Sequence, residues 1–172
     1  ATSCGGTAEV HPVSAMVTYQ FPARDSLPPV KLTWWEGLRA PWPEGLDEDL
    51  EMPTEGGIIF HGTKGKIMAG VYGGRPMLLP TRLHREYQRP AKTIPRVPGE
   101  SHELDWVRAC KAGQPAGSNL EYAGLLTEIC LLGNVAKRVD EPLQWDGAAL
   151  KVTNHPEANR LVRSEYRAGW SL

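Results

Sequence analysis

The period of the apolar pattern changes along this chain, and that change constrains the fold more than any other feature. Apolar and polar residues alternate in residues 13–20 and 30–35, which is typical of β-strands. In residues 120–139 the apolar side chains instead recur at the spacing of an α-helix. Because the strands come first and the helices later, the sequence predicts an α+β fold with an open, mostly antiparallel β-sheet and helices packed on one face.

The predicted strands fall into hairpins. Residues 13–20 and 30–35 are separated by a short loop, so we expect them to pair as antiparallel neighbours. Residues 57–61 and 66–72 flank a four-residue connection with a glycine at each end, which suits a second hairpin. Residues 75–79 add a short fifth strand. The first half of the chain is therefore predicted to be mainly β.

Both faces of the first hairpin carry apolar residues. Because neighbouring side chains of a strand point to opposite sides, Trp34 and Trp35 are predicted to lie on different faces of the sheet. A sheet face that is apolar and not covered by helices needs another partner. We therefore expect the face without helices to be available for oligomerisation.

Capping residues mark the predicted helices. Ser101 is placed to cap a helix that ends just before Gly113. Ser118 to Glu121 has the pattern of a capping box at the start of the longest helix. Asn154 or His155 precedes a last helix with Pro156 at its first position and Gly169 at its end. Shorter elements are a helical turn in residues 82–87 and a β element around Asp146-Gly147 in residues 143–152.

Composition excludes several classes of protein. The 172 residues suffice for a single domain with one core that buries roughly 70% of the unfolded surface. A net charge of −1 does not favour nucleic acid as a partner. No apolar run approaches the roughly 18 residues of a membrane span, so we expect a soluble protein without membrane contact. The first residues have neither an initiator Met nor signal-peptide features, which suggests a fragment or a mature chain and leaves cytoplasm and periplasm open.

Residue types that hold metals or phosphates lack the spacing they need. Cys4, Cys110 and Cys130 include no C-x-x-C pair, so we expect free, buried thiols. The five histidines show no ligand spacing, and no metal site is predicted. Neither the P-loop nor the G-x-G-x-x-G pattern occurs, and Gly62 to Gly65 is interpreted as a hairpin turn.

A loop in residues 36–56 has no periodicity and is rich in carboxylates. Residues 44–55 contain six acidic residues and no Lys or Arg. Such a segment is either a solvated connector or a lid over a neighbouring pocket, because ordered loops of this length are often functional. The sequence leaves both interpretations open.

Aromatic residues mark a candidate sugar site. Their flat faces pack against the apolar faces of pyranose rings, while Glu36 and Arg39 could bind hydroxyl groups. Aromatics are equally typical of cores and interfaces, and that alternative stays open. His61, at the end of a predicted strand, is the histidine of most interest. The predicted substrate-pocket residues are Trp34, Trp35, His61 and Tyr72, with Trp42 as a further aromatic.

Several segments resemble the C-terminal domain of bacterial Gfo/Idh/MocA-type oxidoreductases, the glucose-fructose oxidoreductase and inositol dehydrogenase family. The resemblance runs nearly from end to end and is densest in the last third of the chain. The segments that carry it are residues 28–34, 62–66, 105–115, 118–128, 131–136, 143–146, 151–154, 156–159 and 165–170.

The resemblance implies that residues 1–172 are one domain, the C-terminal substrate and oligomerisation domain, without its first helix. Members of that family carry an N-terminal Rossmann domain that binds NAD or NADP, and their open sheet helps to form oligomers. The dinucleotide fingerprint, the Glu-Lys-Pro motif with its catalytic lysine and the Asp/His pair all precede the part that resembles this chain. No catalytic or cofactor-binding role is therefore carried over to any residue here.

Three functions remain open from the sequence. The first is the pocket and oligomerisation part of an NAD(P)-dependent sugar or polyol oxidoreductase, redox-silent as an isolated chain. The second is the same part of an NAD-dependent glycosidase of that family. The third is a stand-alone carbohydrate-binding or interaction module.

Overall fold

The computed structural model describes residues 1–7, 9–38, 40–47 and 55–170, which form two compact units. The first unit comprises residues 1–39 and 96–172, and the second comprises residues 40–95. The strands of the first unit are β1 (Thr2–Cys4), β2 (Ser14–Phe21), β3 (Val30–Glu36), β7 (Trp145–Asp146) and β8 (Lys151–Val152). Its helices are α2 (His102–Ala112), α3 (Leu120–Val139) and the 3₁₀ segments Pro98–Glu100 and Pro156–Leu161. The second unit contains β4 (Gly57–Gly62), β5 (Gly65–Gly70), β6 (Met77–Leu79) and α1 (Thr81–Glu86).

The α+β class with open antiparallel sheets is confirmed. In the described part of the chain the strands form three small sheets, in the orders β1-β2-β3, β4-β5-β6 and β7-β8, rather than one continuous sheet. All of their pairings are antiparallel. None of the described helices is long and apolar enough to cross a bilayer.

The register of the first sheet defines its two faces. Val17 lies opposite Trp34, and Thr18 lies opposite Thr33. Directly paired residues share a face, so Val17, Tyr19 and Glu36 lie together on one side. The other side, which we call the open face, presents the remaining residues of the same register. The open face contains Met16, Thr18, Gln20, Lys31, Thr33 and Trp35.

Helix α3 packs against the side of the sheet opposite the open face. Gly133 lies so close to the sheet that a Cβ atom added there would overlap the Tyr19 hydroxyl. One turn further on, the Lys137 ammonium binds the Glu36 carboxylate at 2.7 Å, with only 6% of the Lys137 side chain exposed. Burial, with a smaller contribution from Cys130, raises the pKa of the Tyr19 hydroxyl. The absence of a side chain at Gly133 therefore allows α3 its close approach to β2.

The opposite side of α3 holds the small β7-β8 sheet. Val135 packs with Val152 and Ala158 in a buried cluster. The Trp145 indole N–H donates to Glu128 at 2.6 Å, which fixes β7 beside the helix. Asp146 accepts hydrogen bonds from the next turn of backbone, at Ala148 N and Ala149 N, as expected for an Asp-Gly turn.

A second cluster forms in the other unit, where Leu46 packs with Met68 and Leu79. The length of the chain predicted one core, whereas the described residues form two separate buried clusters, one in each unit. The β4-β5 hairpin and the short strand β6 form as predicted, but with different bounds. Gly62 pairs with Gly65, so the turn is only Thr63 and Lys64, and β5 ends at Gly70, before Tyr72.

The helix boundaries confirm some capping predictions and correct others. Ser101 accepts from Leu104 N, and Gly113 ends α2 in the left-handed conformation, both as predicted. At α3 the N-cap is Asn119, not Ser118, because the Asn119 side chain is the one that accepts from the third helical N–H. The predicted last helix is a 3₁₀ segment that stops at Leu161, with no side-chain cap.

The predicted burial of the cysteines is wrong. Cys4, Cys110 and Cys130 are free thiols, and all of them are exposed. Cys110 lies on α2, which has no buried residue, so the helix does not pack into a core that would bury the thiol. Cys130 lies on α3, three residues before Gly133, and its thiol stays exposed although it is near the Tyr19 hydroxyl.

Substituting Gly133 with Ala tests the close contact between α3 and β2. A methyl group should overlap the Tyr19 hydroxyl at a cost of about 1–3 kcal/mol, against a helix-propensity gain of about 1 kcal/mol. In the Tyr19→Phe variant, which lacks that hydroxyl, Gly133→Ala should stabilise by about 1 kcal/mol. Urea unfolding of the four chains measures this coupling. An identical effect of Gly133→Ala in both backgrounds would contradict the contact.

Candidate functional site

The two tryptophans of β3 are on opposite faces of the first sheet, as predicted. Trp34 shares a face with Val17, and Trp35 shares the open face with Met16. Trp34 is 54% exposed and Trp35 is 38% exposed, so both offer ring surface to a partner. One sugar ring cannot stack on both side chains, because the sheet lies between them. The pair therefore supplies two separate aromatic surfaces.

The other two predicted pocket residues belong to the second unit. His61 is in β4, directly opposite Lys66 of β5, and shares a face with it. Tyr72 follows β5 in a turn and is 94% exposed, and Trp42 is also exposed. Of these residues, only His61 lies in a strand, where the hairpin fixes its backbone.

Glu44, His61 and Lys66 form a polar cluster in the second unit. The Lys66 ammonium is 2.5 Å from the Glu44 carboxylate. Both the hydrogen bond and the charge of Lys66 lower the pKa of Glu44, and His61 contributes a smaller effect in the same direction. The residues are brought together because Leu46 packs onto Met68 and Leu79, which holds the Glu44 segment beside the hairpin.

This cluster suits ligand orientation better than proton transfer. A carboxylate whose pKa is lowered stays ionised near neutral pH and is a weak general base. It can still accept hydrogen bonds from hydroxyl groups, while the ammonium beside it can donate them. A polyhydroxylated ligand is the class of molecule that uses both functions.

Some predicted polar residues have other partners. Glu36 binds Lys137 within the first unit. Asp47, from the acidic loop, binds Arg85 at 2.7 Å. Arg39 and residues 48–54 of that loop lie outside the described residues. The carboxylates of Glu44 and Asp47, which are described, thus pair with cations of their own unit.

The Gly62–Gly65 segment does not have the geometry of a phosphate-binding loop. Gly62 and Gly65 pair within the β4-β5 hairpin, and no helix begins there to hold a phosphate. Among the described residues, no group of three or more His, Cys, Asp or Glu side chains is placed to hold a metal ion. No step of a reaction is therefore assigned to NAD(P) in this chain.

Sequence reasoning did not find the pairing of Glu44 with Lys66. The two residues are separated by a loop without periodicity, and no local motif joins them. The available signal was weak: Lys64 and Lys66 are the first two cations after a run of carboxylates, and the sequence does not favour one of them as the partner of Glu44.

No family model matches this chain, and no curated protein matches it either.

The titration of Glu44 tests the cluster. Its side-chain carboxyl should titrate below the usual glutamate pKa of 4.5, and Lys66→Gln should return it toward that value. Because the folded-state pKa is lowered, the stabilisation is present above the unfolded pKa and is lost as the pH falls through the folded pKa. Carbon-detected NMR of the side-chain carboxyl group measures the midpoint.

Lys64→Gln is the matched control, since it removes the same charge from the turn between the strands. It should leave the Glu44 midpoint where it is in the unchanged chain. A Glu44 midpoint that is unaffected by Lys66→Gln would show that the ion pair does not form.

Proposed function

We propose that this chain is the substrate-pocket and oligomerisation part of an NAD(P)-dependent sugar or polyol oxidoreductase, and that it is redox-silent on its own. The proposal starts from the resemblance of its last third to the C-terminal domain of Gfo/Idh/MocA-type oxidoreductases. The observation that carries it furthest is the open face of the first sheet, with the Trp35 ring accessible on it.

The open face has the composition of an interface between subunits. An aromatic ring and Met16 lie beside threonines, a glutamine and a lysine, while the opposite face holds the buried Ala15 and Val17. Aromatic residues and Met are enriched in interface cores, and small polar residues can pair across them. A second copy of this chain, applied face to face, is the partner that the proposal assigns to this surface.

Exposed apolar residues of the helices support a second partner. In α2, Leu104, Trp106 and Val107 are exposed, and no residue of that helix is buried. The first half of α3 exposes Tyr122, Leu125 and Leu126. Burying a large apolar side chain contributes about 1.5–3 kcal/mol, so a partner that buries these residues would stabilise the helices. The proposal assigns that role to the dinucleotide-binding domain of the parent protein.

The proposal assigns each unit its own contact surface for a sugar. In the first unit, Trp34 or Trp35 offers a face for a ring. In the second unit, His61 lies beside the Glu44–Lys66 pair, which suits hydroxyl groups. These residues bind and orient a substrate in the proposal. The chemical step belongs to groups outside this chain, whether the parent is a dehydrogenase or a glycosidase.

Oligomerisation through the open face predicts a defined effect of Thr33→Arg. Thr33 lies at the centre of that face, so a long cation there should clash with a second copy and weaken association at least about tenfold. Trp35→Ala, which removes the aromatic anchor, should act in the same direction. Sedimentation equilibrium of the full chain measures the association constant.

Thr63→Arg is the matched control, because it makes the same substitution in the β4-β5 turn and should leave association unchanged. Circular dichroism verifies that each variant keeps its secondary structure. A chain that is monomeric without substitution, or one whose assembly tolerates Thr33→Arg, would contradict the assignment of this face.

Redox silence predicts that the chain alone does not bind dinucleotides. Titration with NADH should give no saturable heat by calorimetry and no change in NADH fluorescence, because the Gly-rich turn is a hairpin and not a phosphate cradle. A complete dehydrogenase with a Rossmann domain, titrated in the same buffer, serves as the positive control. Saturable binding at micromolar affinity would refute the proposal.

A further inference from the structure

A cavity between β8 and the last 3₁₀ segment is not used by the function proposed above. It has a volume of about 480 Å³ and lies within the first unit. This volume is in the range of sites that hold small ligands. The backbone on either side comes from residues 149–153 and from residues 156–163.

Hydrogen bonds from one side chain hold the walls of this cavity together. The Asn159 side-chain oxygen accepts from Val152 N at 2.8 Å, and its amide nitrogen donates to Val152 O at 2.9 Å. Val152 itself is buried beneath the cavity with Ala158. The two walls are therefore joined independently of any ligand, which lowers the entropic cost of binding.

The lining divides into an apolar part and a cationic part. Leu150, Pro156 and Val162 supply the apolar surface, and the buried Val152 lies beneath them. Lys151 and Arg163 also line the cavity, and in the part of the chain that the structure describes neither has an ion-pair partner.

No acidic residue lines the cavity in the described part of the chain, although the whole protein carries a net charge of −1. A cation close to the cavity has a different environment. Arg160, on the same 3₁₀ segment as the cavity wall, binds Glu157 at 3.0 Å. Two unpaired cations facing one apolar cavity are thus a local concentration of positive charge.

We infer that this cavity binds a small organic anion, with a carboxylate or phosphate group between Lys151 and Arg163 and an apolar body against Val162 and Leu150. The guanidinium of Arg163 can bind either oxyanion through two N–H groups, and the Lys151 ammonium adds a point charge. The apolar part of the ligand would cover surface that is otherwise exposed, since Leu150 is about half exposed.

Calorimetric titration of the 172-residue chain with four probes tests this site. Benzoate and phenyl phosphate carry both the anion and the apolar ring, inorganic phosphate carries only the anion, and benzyl alcohol carries only the ring. At least one of the first two should bind at least about tenfold more tightly than both partial probes. The stronger of those two identifies the charged group of the ligand.

The variant Lys151→Gln/Arg163→Gln should lower the affinity for the tightest-binding probe at least about tenfold, since it removes both charge-assisted contacts. Lys64→Gln/Lys92→Gln removes the same charge from the other unit and should leave binding unchanged. Amide resonances of Val152 and Asn159 should shift on titration in the unchanged chain.

A second variant keeps the test decisive if the double substitution lowers stability. Ala149→Glu retains both cations and places a carboxylate at the exposed edge of the cavity, where it should compete with the probe and weaken binding by a similar factor. The inference is overturned if no probe binds, if ring and anion together bind no better than either alone, or if Ala149→Glu and the double variant bind like the unchanged chain.

Discussion

The close contact between α3 and β2 is the constraint on which the first unit depends. Gly133 lets the helix approach Tyr19 and Val17, and the Lys137–Glu36 ion pair holds the same side one turn later. The opposite side of α3 carries Val135, which packs with Val152 and Ala158. One helix therefore joins the three-stranded sheet to the β7-β8 segment. It also decides which face of the sheet remains open, because α3 covers only the side that carries Tyr19.

Much of the local structure could be predicted, because its causes are local. The alternation in residues 13–20 and 30–35 predicts both the strands and the opposite orientation of Trp34 and Trp35, and the structure confirms them. Ser101 and Gly113 bound α2 as expected. The division of the strands into separate sheets could not be predicted, since no local signal shows that one hairpin fails to pair with the next; the observed pairs join only strands that are consecutive in the chain. The cap of α3 shifted by one residue because Asn119 is as good a cap as Ser118.

The candidate site was less predictable than the fold. The aromatic residues could be identified from the sequence, but the Glu44 carboxylate near His61 and Lys66 could not. The Glu44–Lys66 pair exists because Leu46 packs with Met68 and Leu79, a tertiary contact without a sequence signature. The cavity beside β8 depends likewise on Asn159, whose side chain replaces a strand partner for Val152. In both places a buried or half-buried side chain positions exposed charged residues. The sequence shows the charged residues but not the contacts that position them.

Helix α2 shows why local signals alone do not account for the stability of this chain. Its 11 residues have an N-cap, a left-handed C-cap and a hydrogen bond from Arg108 to the Pro98 carbonyl, yet none of them is buried. Isolated helices of this length are marginal in water, and most helical stability in proteins comes from packing an apolar face. Capping thus determines where α2 begins and ends. The fraction of molecules in which the helix is folded depends instead on how far Leu104 and Val107 are buried. In the function proposed above, the folding of this helix is coupled to association, because the free energy of burial is released only when a partner excludes water from that face.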